Sequence, residues 1–386
     1  MTTTISSAAA WLLTSSLLCS SAWASEERAH IRSIVDAAIV PLMAEHDLPG
    51  MAVAVTAAGK SYTFNYGHAA KETKEPVTDA TLFELGSVSK PMTATLASYA
   101  QVIGKLALDA HPSKYLPALK GSPIDAATVL HLGTYTAGGL PQQFPERLAD
   151  ERMIEYFRSW TPQAQPGTQR RYSNPSLGLF GHLTALALKR DFAEAMEQEV
   201  FAALGMRNSH IRIPDGARVN YAWGHDQQGK PGRMQAEVLS APTYGVVSTA
   251  SDVMRLVEAN IEPGNLAGPM RRAVEGTQIG YFAVGPMVQG LGWEQYPYPV
   301  KVEQLVAGNS STMSMEPNAA KRIDAPPSQQ SVLFNKTGAT RGFSNYVAFV
   351  PLKKIGIVML ANKSYPAAAR VKAAHAILEQ LDAARQ

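Results

Sequence analysis

Apolar residues recur at three- and four-residue intervals from Glu27 to Glu45, at Ile31, Ile34, Val35, Ala38, Ile39 and Leu42, the stripe of an amphipathic helix. Two short apolar or alternating runs follow, Met51–Thr56 and Ser61–Tyr66, and the turn residues Ala58-Gly59-Lys60 between them predict a hairpin. The far end of the chain mirrors this composition. Val332–Lys336, Asn345–Val350 and Ile355–Ala361 read as strands, and Ala367–Leu381 as a closing helix. Between the two ends the period changes: Met92–Leu106, Met153–Trp160, Leu177–Leu188 and Phe192–Ala203 carry helical spacing, separated by loops rich in Gly and Pro.

An element that is apolar on one face needs a second layer to cover it. The pattern therefore predicts an α/β (α+β) protein: an antiparallel sheet built from both chain ends, flanked by helices, with a mostly helical subdomain inserted. The expected division is an α/β domain from residues 25–101 and 202–386 and a helical part from 102–201. Ser87 falls just before the helical region, at the junction, where pockets commonly form.

Residues 1–24 are expected to be a signal peptide: Trp11–Leu18 is an apolar centre, and Ala22-Trp23-Ala24 has the small-x-small form that predicts cleavage after Ala24. The apolar run is broken by serines and is shorter than the ~20 residues of a spanning helix, which argues against a membrane anchor. It departs from the usual signal in having no Lys or Arg, so the amino terminus alone supplies positive charge. Cys19 is the one cysteine and lies in the segment to be removed, leaving a mature chain with no disulfide, Cys nucleophile or Cys-ligated zinc. Lipid attachment at Cys19 is disfavoured by the bulky Leu18 before it. The expectation is a periplasmic protein, free of the membrane after cleavage.

The chain has 386 residues, 46% hydrophobic and 17% charged, enough to bury a full core and too few charges for a disordered or coiled-coil protein. Its 35 basic and 32 acidic residues leave a net charge of +3 with no basic cluster, so nucleic acid is not an expected partner. The histidines (His30, His46, His68, His111, His131, His182, His210, His225 and His375) never stand at H-x-H or H-x-x-x-H spacing, and no metal is expected. Gly138-Gly139 lacks the G-x-G-x-x-G context, so no nucleotide cofactor is expected either. No heptad seam is evident, and a monomer is expected.

Three short motifs carry chemistry. Ser87-Val88-Ser89-Lys90 has the S-x-x-K form, which on a helix puts an amine one turn beyond a hydroxyl, on the same face. A serine hydroxyl is a poor nucleophile until a neighbouring base takes its proton, and the helix N-terminus favours negative charge on its oxygen. A chain of this composition would contain roughly one S-x-x-K by chance, so the motif alone decides nothing. Lys336-Thr337-Gly338 follows a strand-like run and precedes Ala339-Thr340-Arg341-Gly342, which predicts a sheet edge beside a turn, able to pair with a substrate amide and to offer a cation and a hydroxyl to a carboxylate. Tyr172-Ser173-Asn174 follows the polar loop 161–171. A phenol placed between two ammonium groups has a lowered pKa and can act as a general base, whereas the plain alternative is a loop tyrosine with a capping asparagine.

S-x-x-K, Y-x-N and K-T-G occur once each, in that order, and together they resemble the penicillin-recognising serine enzymes. Y-x-N in second place resembles the class C β-lactamases. The likeness extends to Leu85–Lys90, Tyr135–Pro141, Tyr172–Ser176, Tyr244–Val246 and Leu360–Pro366, and so covers essentially the whole mature chain. It implies hydrolysis of β-lactams, cephalosporins preferred, through an acyl-enzyme on Ser87. Tyr172, polarised by Lys90 and Lys336, is the implied proton shuttle, with either Lys90 or Tyr172 as the base for acylation. The backbone N–H groups of Ser87 and Ala339 form the implied oxyanion hole. Gln143 and Asn174 would bind the substrate's side-chain amide, Tyr244 would stack on that side chain, and Lys336 and Thr337, with Gly338, would receive the carboxylate.

The chain departs from the class C pattern at Pro91, tolerable early in a helix, and at Ala367 and Arg341 near the carboxylate pocket, where Arg341 is expected to substitute partly as a cation. Two rival functions share these residues: a D-Ala-D-Ala carboxypeptidase or esterase of the same superfamily, and a non-catalytic lactam or peptidoglycan binder. A pure binder has no need of an activated serine.

Overall fold

The computed structural model describes residues 9–325 and 331–384, with side chains for 25–323 and 331–384. Its centre is a ten-stranded sheet of β1 (Gly50–Ala57), β2 (Lys60–Ala70), β3 (Glu75–Pro76), β4 (Gly280–Val284), β5 (Met287–Gly290), β6 (Glu294–Pro297), β7 (Lys321–Ala325), β8 (Val332–Ala339), β9 (Ser344–Val350) and β10 (Ile355–Ala361). The order across the sheet is β7-β4-β5-β6-β8-β9-β10-β1-β2-β3, and every pairing is antiparallel. The N- and C-terminal strands meet where β1 pairs with β10, Met51 opposite Ala361.

Alternation along these central strands sorts side chains onto two buried faces. On one, Met51, Val53 and Val55 of β1 and Ile355, Ile357 and Met359 of β10 pack with Val35 and Ile39 of α1 (Ala9–Glu45) and Val371 and Ile377 of the closing helix, Ala367–Ala383. On the other, Ala52, Ala54, Val358 and Leu360 meet Met92 and Leu96 of α2 (Ser89–Val102). Covering both faces explains why β1, β9 and β10 are buried along their whole lengths.

The hairpin turn, the three C-terminal strands and the terminal helices fall where the periodicity put them. Residues 102–201 add no strand to the ten-stranded sheet; their longest element is α3 (Asn174–Leu188), and Phe192–Leu204 is helical with a π-helical stretch, Met196–Phe201. Not anticipated were β4–β7, which build one side of the sheet, and the helices Ala250–Ile261 and Gly268–Thr277. The strands β4–β6 are four or five residues long, below what period counting resolves. The expected signal segment lies outside the described residues for 1–8 and, for its side chains, through residue 24. No helix among the described residues is long and apolar enough to cross a membrane.

Candidate active site

A single 3₁₀ turn, Gly86–Val88, runs straight into α2, so Ser87 stands at the helix entrance and Lys90 one turn further on. Lys90 Nζ donates to Ser87 Oγ (2.9 Å) and to the Thr243 carbonyl (2.8 Å). Strand β8 is pressed against this turn. A Cβ on Gly86, whose φ is +55°, would lie 2.5 Å from the Ala339 carbonyl oxygen, and one on Gly338 would lie 2.2 Å from the Leu85 carbonyl. Only glycine at both positions lets the two backbones approach so closely, which sets the Ser87 and Ala339 peptides side by side.

Tyr172 comes to the same point from the start of α3. Ser173, rather than Asn174, is the cap: its Oγ accepts from Ser176 N–H, and Pro175 occupies the first turn. Tyr172 Oη hydrogen-bonds to Ser87 Oγ at 2.7 Å. The ammonium groups of Lys336 and Lys90 stand 5.1 and 5.2 Å from the phenol ring centre. Burial pushes the phenol's pKa up, but the charges of Lys336 and Lys90 and hydrogen bonds with Ser87 and Lys90 more than offset this, and the net shift is downward. Lys90 is completely buried, and desolvation, aided by the charge of Lys336, lowers its pKa against the opposing pull of Tyr172. Both candidate bases are thus shifted toward the forms that can take a proton.

The K-T-G segment sits inside the sheet rather than on its edge. β8 pairs with β9 through Ala339, but its pairing with β6 ends at Asn335 opposite Glu294, so the other side of Lys336–Ala339 is open to the cleft. The shortness of β6 makes this local edge, a feature that the sequence of β8 cannot contain. Lys336 is held by Glu294 Oε1 at 3.3 Å, and the same oxygen accepts from Arg170 Nη2 at 3.3 Å. Arg170 also donates to Gln289 Oε1 (2.7 Å) and the Met313 carbonyl (2.6 Å), a fully engaged buried guanidinium.

Asn174 Nδ2 donates to Gln143 Oε1 (2.8 Å), while Asn174 N–H donates to the Gln142 carbonyl and Arg171 N–H to the Tyr135 carbonyl, zipping the 135–143 loop to the entrance of α3. Asn174 Oδ1 is buried with no protein partner. Ser87, Gln143, Tyr172, Asn174, Tyr244, Lys336, Thr337, Gly338, Ala339 and Arg341 all line one cleft of about 1050 Å³, and Lys90 lies beneath its floor. Arg170, Glu294 and Arg370 escaped the sequence reading. Arg370 is buried and donates to the Gly338 and Asn345 carbonyls, bracing β8 from the closing helix. A signal existed for it: Arg370 is the lone charge on the face that carries Val371, Ala374 and Ile377. Glu294 had none, because its partners are remote in sequence.

A hydroxyl held between an amine and a phenol at the floor of a polar cleft is equipment for forming and hydrolysing an acyl-serine. The "Beta-lactamase" family model matches residues 35–382. The β-lactamase of Pseudomonas fluorescens is 51% identical over 91% of this chain and 99% of its own length, and that of Escherichia coli is 41% identical over 91% and 94%. Among solved structures, a class C β-lactamase in complex with cefoxitin is 44% identical with a TM-score of 0.88, covering 92% of this chain and 99% of its own. A D-alanine carboxypeptidase of Burkholderia cenocepacia is 47% identical with a TM-score of 0.87, over 91% and 99%. The chain belongs to the β-lactamase family, and is a serine β-lactamase of the class C type.

Proposed function

We propose that this enzyme opens β-lactams, cephalosporins preferentially, by transferring the acyl group to Ser87 and then to water, with Tyr172 moving the proton in both steps. The observation that carries this reading is the pair of short contacts on Ser87 Oγ, 2.7 Å from Tyr172 Oη and 2.9 Å from Lys90 Nζ. As Ser87 Oγ bonds to the lactam carbonyl carbon and the ring C–N bond breaks, the serine proton passes to the Tyr172–Lys90 pair and on to the departing nitrogen. The N–H groups of Ser87 and Ala339 hold the oxyanion. Gln143 and Asn174 bind the acyl amide, Tyr244 stacks on the acyl side chain, and Lys336, Thr337, Gly338 and Arg341 receive the carboxylate.

Steady-state hydrolysis of a chromogenic cephalosporin tests the reading. Sustained turnover with a transient adduct on Ser87 in the mass spectrum is expected; a stoichiometric burst without turnover would contradict it. Two structural relatives carry D-alanine carboxypeptidase in their descriptions, one of them together with β-lactamase, which keeps peptide hydrolysis at the same serine as a second reading. Release of D-alanine from a D-Ala-D-Ala peptide measures it directly. The same reading places the mature enzyme, cut after Ala24, in the periplasm as a monomer, its cleft at the junction of residues 102–201 with the sheet-bearing remainder of the chain.

A further inference from the structure

We propose that Glu237 is a specificity-determining residue which makes this enzyme favour β-lactams with a cationic acyl side chain over those with an anionic one; this rests on the β-lactam reading above. Glu237 belongs to the cleft wall of residues 233–238 and is exposed on it. Its Oε2 accepts a hydrogen bond from Tyr244 Oη at 2.7 Å, so the carboxylate is tied to the ring proposed to stack on the acyl side chain. Among the described residues no Lys, Arg or His nitrogen lies within 4.0 Å of its oxygens, in contrast to Glu294, whose charge is spent on two cations.

The other charges lining this wall and the neighbouring loop do not cancel it. Arg233 is clasped between the rings of Tyr221 (4.0 Å) and Trp223 (4.2 Å) and donates to the Ala222 and Tyr221 carbonyls. Glu146 and Arg147, on the loop that carries Gln143, offset one another in formal charge. Glu237 is thus the charged group of this wall that is bonded to Tyr244, while Arg233 is held at Tyr221 and Trp223, where the Glu84 carboxylate acts on it. An ammonium on the carbon next to the acyl amide meets the Glu237 carboxylate beside Tyr244, and a carboxylate at that carbon meets a like charge. Because Glu237 faces solvent, the bias is a matter of several-fold, not orders of magnitude.

Three penicillins that differ only at that carbon supply the test: ampicillin with an ammonium, benzylpenicillin with hydrogen, and carbenicillin with a carboxylate. In E237Q the amide oxygen still accepts from Tyr244, so the charge is removed and the clamp kept. The expected result is a fall of about two- to five-fold in kcat/KM for ampicillin relative to benzylpenicillin and a comparable rise for carbenicillin, with benzylpenicillin itself changed by less than about 1.5-fold. The wild-type preference should also shrink in about 1 M salt, where the screening length is ~3 Å. Unchanged ratios in E237Q, or a shift of all three substrates together, would overturn the proposal. Absence of chromogenic cephalosporin turnover by the wild-type enzyme would overturn the parent reading as well, so the two failures are told apart by different measurements.

Discussion

The floor of the cleft and its rim use charge in opposite ways. At the floor, Lys90, Lys336, Arg170 and Glu294 are buried, and each has partners within hydrogen-bond or ion-pair distance. At the rim, Gln143, Glu146, Arg147, Glu237 and Arg341 are exposed, and they sit on loops. A buried charge interacts strongly and is costly to leave alone, whereas an exposed one is screened by water and salt. The difference implies a division of labour: the floor sets whether the reaction happens, and the rim adjusts which substrate it happens to.

Removing the nucleophile is the sharpest way to break this division. Ser87→Ala should lower kcat by about 10⁴–10⁶-fold and abolish the covalent adduct, with the thermal midpoint little changed. If a Ser87→Ala enzyme still turned over cephalosporin near the wild-type rate, the floor would not be the reacting centre. Tyr172→Phe keeps the ring between the lysines but deletes the oxygen. A loss of about 10²–10⁴ in kcat/KM is expected by steady-state kinetics.

Glu294→Ala tests the floor's stability. It strands Arg170 and Lys336 without their shared counterion, at side-chain exposures of only 2% and 3%, and should cost about 3–5 kcal/mol in urea unfolding. A loss under ~1 kcal/mol would show that solvent reaches the triad. The pH profile is the next largest effect. With the phenol's pKa lowered by its neighbours, more of Tyr172 is ionised at neutral pH than in an ordinary tyrosine, and kcat/KM falls as pH drops through that value. Lys336→Met removes one of the two charges that lower it, so the acidic limb should move to higher pH. A limb that stays in place or moves to lower pH would assign it to another group. At the rim, Arg341→Ala should raise KM for cephalosporins only about two- to five-fold, at unchanged kcat and with the effect fading in salt. An unchanged KM would remove Arg341 from carboxylate recognition.

How far the site could be read in advance varied with distance along the chain. Ser87 and Lys90 are three residues apart on one helix face, so their meeting is a local consequence of helical geometry. Tyr172 and Lys336 entered through their motifs, but nothing local states that Tyr172 Oη lies 2.7 Å from a serine 85 positions earlier. Asn174 was open to reading as a helix cap; Ser173 takes that role and leaves the asparagine side chain for the cleft. The strands β4–β6 were missed because short runs lack a measurable period, and with them went Glu294 and the open flank of K-T-G.

Periodicity and turn residues determined the terminal sheet strands and their covering helices, because each depends on neighbours within a turn or a hairpin, and three ordered motifs named the reacting groups. The tertiary structure alone decided the close approach of Gly86 and Gly338, the counterion that Glu294 supplies to Arg170 and Lys336, and the brace from Arg370 to β8. Those contacts join residues tens to hundreds of positions apart, and burial makes their partners obligatory only once the sheet and helices have packed.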